Sequence, residues 1–140
     1  MSTSLEVKLR TAAAANPALV AFLGTSPFRW YGPQEVQNAP YPNIAVQLIS
    51  AVPQYSTAAR LITCEYRVQF TIWDTNLAEA RNVESALLSF LDGFNAYNAG
   101  DHSPLQRNRV VNRRTGGNAQ TSPTTYWRIV DAMIWNNETT

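Results

Sequence analysis

Between Asn43 and Trp73 the chain alternates apolar and polar side chains. Ile44, Val46, Leu48 and Val52 share one face of the first stretch, and Asn43, Ala45 and Gln47 the other. A period of two is the signature of a strand with one buried face. Pro53-Gln54 opens a polar turn region reaching Ala59. The next stretch, Arg60 to Trp73, is the clearest strand of the chain. Ile62, Cys64, Tyr66, Val68, Phe70 and Ile72 point one way, and Thr63, Glu65, Arg67, Gln69 and Thr71 the other. At ~3.3 Å per residue this strand is about 45 Å long. The short connection between the two stretches predicts an antiparallel hairpin.

Elsewhere the period changes to that of a helix. Leu5, Leu9, Ala12 and Ala13 recur at helical spacing after Ser4, which is placed to cap the first turn. Pro17 disfavours helix at Asn16 and ends this segment. The same Asn16-Pro17 pair opens a second helix, with Asn16 as N-cap and Pro17 at the first helical position. Leu19, Val20, Phe22 and Leu23 supply its apolar side, and Gly24 stops it. A third helix follows Asn76, whose relation to Glu79 resembles a capping box. Leu77, Ala80, Val83, Leu87, Phe90, Leu91 and Phe94 give it one apolar face over about 18 residues, directed at the sheet.

Residues 25–42 combine four prolines with Phe28, Trp30, Tyr31 and Tyr41. They read as an ordered loop, with Phe28–Tyr31 a candidate short edge strand. Gln106–Arg114 sets Val110 and Val111 among charges, as a defended edge strand does. Gly116–Pro123 has no apolar anchor larger than Ala and reads as a flexible hairpin tip. Thr124–Trp135 is a last strand, largely apolar on both faces, which suits a helix on one side and another subunit on the other. The order helix, helix, strand, strand, helix, strand, strand predicts an α+β fold. The expected architecture is one domain over residues 1–140, an antiparallel sheet of about four strands with helices packed on one face.

Composition adds a hint of assembly. Only 15% of the residues are charged, against about 25% in an average soluble domain, which fits a surface lying largely against other protein and also a neutral, polar monomer surface. The net charge of +1 argues against a dedicated nucleic-acid binder. One cluster survives the averaging: Arg107, Arg109, Arg113 and Arg114 hold four of the 11 basic residues. At strand spacing Arg107, Arg109 and Arg113 share a face and Arg114 points opposite. Contacts to acidic groups of a neighbouring subunit, to a phosphate backbone, or a merely solvated edge all fit this pattern. The aromatic group around Trp30 and Tyr31 fits either an interface or a loop packed on its own core.

Candidate chemistry is sparse. His102 is the only histidine and sits in an Asp-His-Ser-Pro turn; Cys64 is the only cysteine and lies on the inward face of a strand. A single cysteine forms no intrachain disulfide and no zinc cluster. Gly116-Gly117 lacks the Lys-Ser/Thr of a phosphate loop. No catalytic, metal or cofactor site is expected. The N-terminus carries no signal-peptide pattern, and no apolar run approaches the ~18–20 residues of a bilayer span, so no membrane contact is expected.

The order of these segments resembles that of the tail terminator (tail completion) proteins of long-tailed bacteriophages and related gene-transfer particles. The matching pieces are an N-terminal helix leading to Phe28-Arg29-Trp30-Tyr31-Gly32, the strand opening Ala39-Pro40-Tyr41-Pro42-Asn43-Ile44-Ala45-Val46, and Tyr66-Arg67-Val68-Gln69-Phe70-Thr71-Ile72-Trp73. Ala78-Glu79-Ala80-Arg81 then opens a helix, and Trp127–Trp135 closes the chain as a strand. The likeness spans residues 5–135. The abundance of Trp and the long Gly116–Pro123 loop depart from the pattern.

The resemblance implies a structural virion protein without enzymatic activity. Such chains assemble into a hexameric ring on the head-proximal end of the tail tube. The ring stops tube polymerisation and meets the neck or head-closure proteins. The expected partners are therefore other copies of the chain, the tail tube protein and the neck protein, with genomic DNA passing through the lumen. On this footing Arg107, Arg109, Arg113 and Arg114 are candidate subunit or neck contacts, with the lumen as the competing assignment. Trp127, Trp135, Trp30 and Tyr31 are candidate interface residues. The Gly116–Pro123 loop is a candidate segment that orders on docking. Another neck or minor tail component is the alternative, and a small ligand-binding module or enzyme the remaining one.

Overall fold

The computed structural model describes residues 5–25, 28–32, 40–55, 61–93, 109–118 and 125–139. Helices α1 (Leu5–Ala14) and α2 (Pro17–Leu23) open the chain. Asn16 caps α2 as its sequence position requires: its Oδ1 accepts from the backbone N–H of Ala18 at 3.0 Å and of Leu19 at 3.2 Å. Gly24 closes α2 at φ 81°, a left-handed value open to glycine, and donates its N–H to the Val20 carbonyl.

The sheet holds β1 (Trp30–Tyr31), β2 (Asn43–Tyr55), β3 (Leu61–Asp74), β4 (Arg109–Asn118) and β5 (Thr125–Thr139), in the order β1-β2-β3-β5-β4. The fold is α+β, as the pattern predicts, with one correction. Among the described residues the sheet has five strands, and it is mixed, because two-residue β1 runs parallel to β2. The expected hairpin is present: β2 and β3 pair antiparallel from Asn43↔Trp73 to Tyr55↔Ile62, with a bulge at Ile49 between Leu48 and Ser50. The long central pair is β3 with β5, in unbroken register from Leu61↔Thr139 to Asp74↔Tyr126.

Helix α3 (Leu77–Gly93) crosses between β3 and β4. Asn76 Oδ1 accepts from the Glu79 N–H at 3.2 Å, and buried Asp74 Oδ1 accepts from the N–H groups of Thr75 and Asn76. Asn76 thus takes up one orphan donor of the helix start, and Asp74 holds the turn that leads into it. One face of the sheet supplies Ile44, Val46, Val68, Phe70, Ile72, Val130, Ala132 and Ile134 to the core. The helices cover it with Leu5, Leu9, Leu19, Leu23, Ala80, Val83, Leu87 and Leu91. Within this cluster Trp30 is 3% exposed. It stacks on Phe28 at 6.1 Å and meets Phe70 and Phe90 edge-on at 5.8 and 6.2 Å. Such pairings add to area burial because ring edges and faces carry opposite partial charge.

Two arginines fasten the N-terminal segment to this layer. Arg29 donates from Nε to the Pro42 carbonyl at 2.7 Å and from Nη2 to the Phe22 carbonyl at 2.6 Å. Arg10 on α1 donates to the Trp30 carbonyl and lies over the Phe28 ring.

Candidate assembly surface

The sequence singles out the arginines of β4, and the structure shows what holds them. A register shift between Val110 and Asn112 interrupts the alternation along β4. Arg109 consequently sits opposite Met133, and Arg113 opposite Val130. The expectation that Arg109 and Arg113 share a face through plain alternation is corrected by this bulge, which inserts one residue and reverses the parity. Arg107 lies outside the described residues.

Arg113 and Arg114 leave the strand on opposite faces. On the helix side Arg113 reaches Glu84 of α3. Glu84 also receives Arg128 of β5, from Nε to Oε2 at 2.8 Å and from Nη2 to Oε1 at 2.9 Å. Burial pushes the Glu84 carboxyl up, but the hydrogen bonds from Arg128 and Arg113 outweigh it and hold its pKa below the ordinary carboxylate range. Arg128 is itself nearly enclosed, and it donates from Nη1 to Thr115 Oγ1 of β4. The edge strand is thereby tied to both its neighbour and the helix layer.

On the face away from the helices, Asp131 of β5 is buried at 1% exposure. Its Oδ2 accepts from Arg67 of β3 at 3.2 Å and lies 3.8 Å from Arg114 Nη2. Both guanidinium groups are about half-exposed. This face of β5, expected to be largely apolar, thus carries buried charge. An ion-paired carboxylate lies at its centre, flanked by partly buried Ile129 and Met133.

The aromatic candidates separate. Trp30, a candidate interface residue, is enclosed in the protomer's own core. Tyr31 is partly exposed beside a groove of about 200 Å³, lined also by Glu6, Val7, Arg10, Trp30, Gly32 and Val46. Trp127 is partly exposed, and its indole lies directly across Gly116. Trp135 stands opposite Glu65 in the β3–β5 ladder; its side chain lies outside the described residues. Gly116, Gly117 and Asn118 are not a loop tip but the last residues of β4, paired with Trp127, Tyr126 and Thr125. The physical reason is the close approach of Trp127, which Gly116 alone accommodates. The remainder of the expected loop, residues 119–123, and His102 lie outside the described residues. Cys64 is in β3 opposite Pro53, its side chain likewise not described.

Sequence reasoning passed over Glu84 and Asp131. Each leaves a trace in the pattern. Glu84 falls on the stripe Ala80, Leu87, Leu91, at helical steps of four, three and four. Asp131, with Arg128, interrupts the otherwise apolar stretch from Tyr126 to Trp135. A charge inside an apolar face implies a buried partner, and here the partners are arginines. Among the described residues no group of three or more His, Cys, Asp or Glu is placed to hold a metal ion, and no helix is long and apolar enough to cross a membrane.

No protein-family model and no curated protein matches the chain in sequence. In three dimensions it shares its fold with a chain of the virion of the native gene transfer agent particle. The two superpose with a TM-score of 0.64 over 96% of this chain and 96% of that one, at 13% sequence identity.

Proposed function

We propose that this chain is a structural protein of a phage-like virion, and that it closes the head-proximal end of the tail tube as a ring. The observation that carries the reading is the fold shared, from end to end, with a chain of a gene transfer agent virion. The segment order that resembles the tail terminators supports the finer assignment. So do the long sheet with one face turned away from the helices and the scarcity of charge. The chain acts by assembly: a head-to-tail contact repeated around an axis closes into a ring, six copies on the resemblance. Its tube-facing side binds the last tube subunits, and its other side refuses a further one and receives the neck proteins.

Light scattering of the chain, alone and with tail-tube subunits, tests this. A closed oligomer, alone or formed on tube ends with tube growth halted, is the expected result. A chain that stays monomeric with tubes present and leaves their length unchanged overturns the reading.

A further inference from the structure

The sheet order leaves two long edges without a partner among the described residues. On one side β1 covers only Ile44 and Ala45 of β2. From Val46 onward no described strand lies outside β2. On the other side β4 pairs inward with β5 along Arg109–Asn118, and no described strand lies beyond it.

An open edge presents a row of N–H and C=O groups, and edges are usually guarded by charged side chains. β2 has no charged residue from Asn43 to Tyr55. Pro53, which lacks an N–H, limits the pairable stretch to Val46–Val52. Within it the bulged Ile49 is 46% exposed. On β4 the arginines that would guard the edge are drawn inward. Arg113 turns to Glu84 over the helix side, and Arg114 to Asp131 of β5 on the opposite face. Val110 of β4 stays 40% exposed.

We infer that a second copy of this chain lays its β4 along the Val46–Val52 edge of β2, joining successive protomers by backbone pairing. The inference rests on the ring reading above and names the contact that closes it. Strand direction supports it. β2 runs antiparallel to β3, β3 to β5, and β5 to β4, so β2 and β4 of one protomer are antiparallel. Rotation about an axis along the strands preserves direction, and the β4 that arrives from the next copy is antiparallel to β2, the stronger ladder. Two-fold pairing of β4 with β4 is disfavoured, because the strand carries Arg109, Arg113 and Arg114 and no acidic residue. The β2 side offers the complement. The groove between α1 and the start of the open edge is lined by Glu6 and by Val7, which is 53% exposed. Arg10 of that groove is engaged with the Trp30 carbonyl and the Phe28 ring, whereas Glu6 has no ion pair among the described residues. Glu84 and Asp131 each serve two arginines, so this side of the sheet stays net cationic, and it meets a carboxylate with no ion pair among the described residues beside an uncharged edge. This is strand addition, in which main-chain bonds supply affinity and a neighbouring pocket supplies selectivity.

Cross-linking tests the contact. With Cys64→Ala as background, Ile49→Cys and Val110→Cys are combined in one chain, assembled with tail-tube subunits and oxidised. Gln47→Cys and Ser50→Cys, each with Val110→Cys, cover neighbouring registers. At least one pair is expected to give a ladder of covalent dimers, trimers and larger species, at least ten-fold above either single-cysteine variant. Dimers from Ile49→Cys alone mean β2 against β2 and overturn the inference. Rings that form without any ladder overturn it too, and leave the ring reading standing. A wild-type chain that forms no closed species on tube ends overturns the ring reading itself. A second measurement needs no cysteine. Gln47→Arg is expected to lower the assembled fraction at least ten-fold, while Gln47→Glu preserves it; equal behaviour of the two overturns the pairing with a cationic strand.

Discussion

Arg128 on β5 holds Glu84 on α3 in a two-pronged grip, Nε to Oε2 at 2.8 Å and Nη2 to Oε1 at 2.9 Å. Two parallel hydrogen bonds fix orientation as well as distance, so the pair helps set how α3 sits on β5. Arg113 joins the same carboxylate from the edge strand, and one acid thereby ties together α3, β5 and β4.

Removing that acid strands the nearly enclosed Arg128 without its partner. Glu84→Ala is expected to destabilise the fold by about 3 kcal/mol, the scale for breaking one side of a buried pair. Denaturant unfolding of the two proteins measures it. A loss under about 1 kcal/mol would mean that Arg128 finds water or another acceptor. The exposed Glu6, with no ion pair among the described residues, provides the contrast: Glu6→Ala should shift stability by no more than about 0.5 kcal/mol.

The same carboxylate makes stability depend on pH. Its folded-state pKa lies below the ordinary value, so its contribution is present above the unfolded-state pKa of about 4.3 and is lost as pH falls through the lower folded value. Unfolding free energy should therefore decline with acid below about pH 4.5, and Glu84→Gln should decline less steeply there. Parallel slopes for the two proteins between about pH 4.5 and 3 would refute the assignment.

Gly116 lies against the Trp127 indole so closely that a Cβ would overlap the ring. Gly116→Ala must displace a large side chain or bend β4. The expected loss is about 1–3 kcal/mol, the range for forcing volume into an occupied space. Unchanged thermal stability, with unchanged Trp fluorescence, would show that the ring swings aside freely.

Trp30 sits among Phe28, Phe70 and Phe90 at the junction of β1 with the helix layer. Trp30→Ala should cost about 3–5 kcal/mol and lower the yield of folded chain. If Trp30 served subunit contact instead, the monomer would keep its stability and only assembly would fail. Urea midpoints of the monomer separate these outcomes.

Much of the fold is legible in residue order because its signals are local. Asn16-Pro17 and Gly24 bracket α2, and the alternation through Val68, Phe70 and Ile72 marks β3 and its buried face, using nothing beyond neighbouring residues. β1 is visible only as a candidate, since two residues show no period. Its parallel pairing with β2 depends on residues 14 positions further on, Trp30 with Ile44 and Tyr31 with Ala45. The tail of β4 is misread for a related reason. Thr-Gly-Gly-Asn has the composition of a turn, yet Trp127, eleven residues beyond Gly116, requires a glycine beside it in the sheet.

The candidate surface divides along the same line. The scarcity of charge, the arginine cluster near β4 and the buried face of each long strand can all be read from residue order. These follow from composition and from periods of two and 3.6. Where the arginines go depends on the folded sheet. The bulge between Val110 and Asn112 sets the parity of β4, and the carboxylates that receive Arg113 and Arg114 lie 29 and 17 positions away along the chain. An ion pair depends on separation in space, and chain separation of that length places no constraint on it until the sheet has formed.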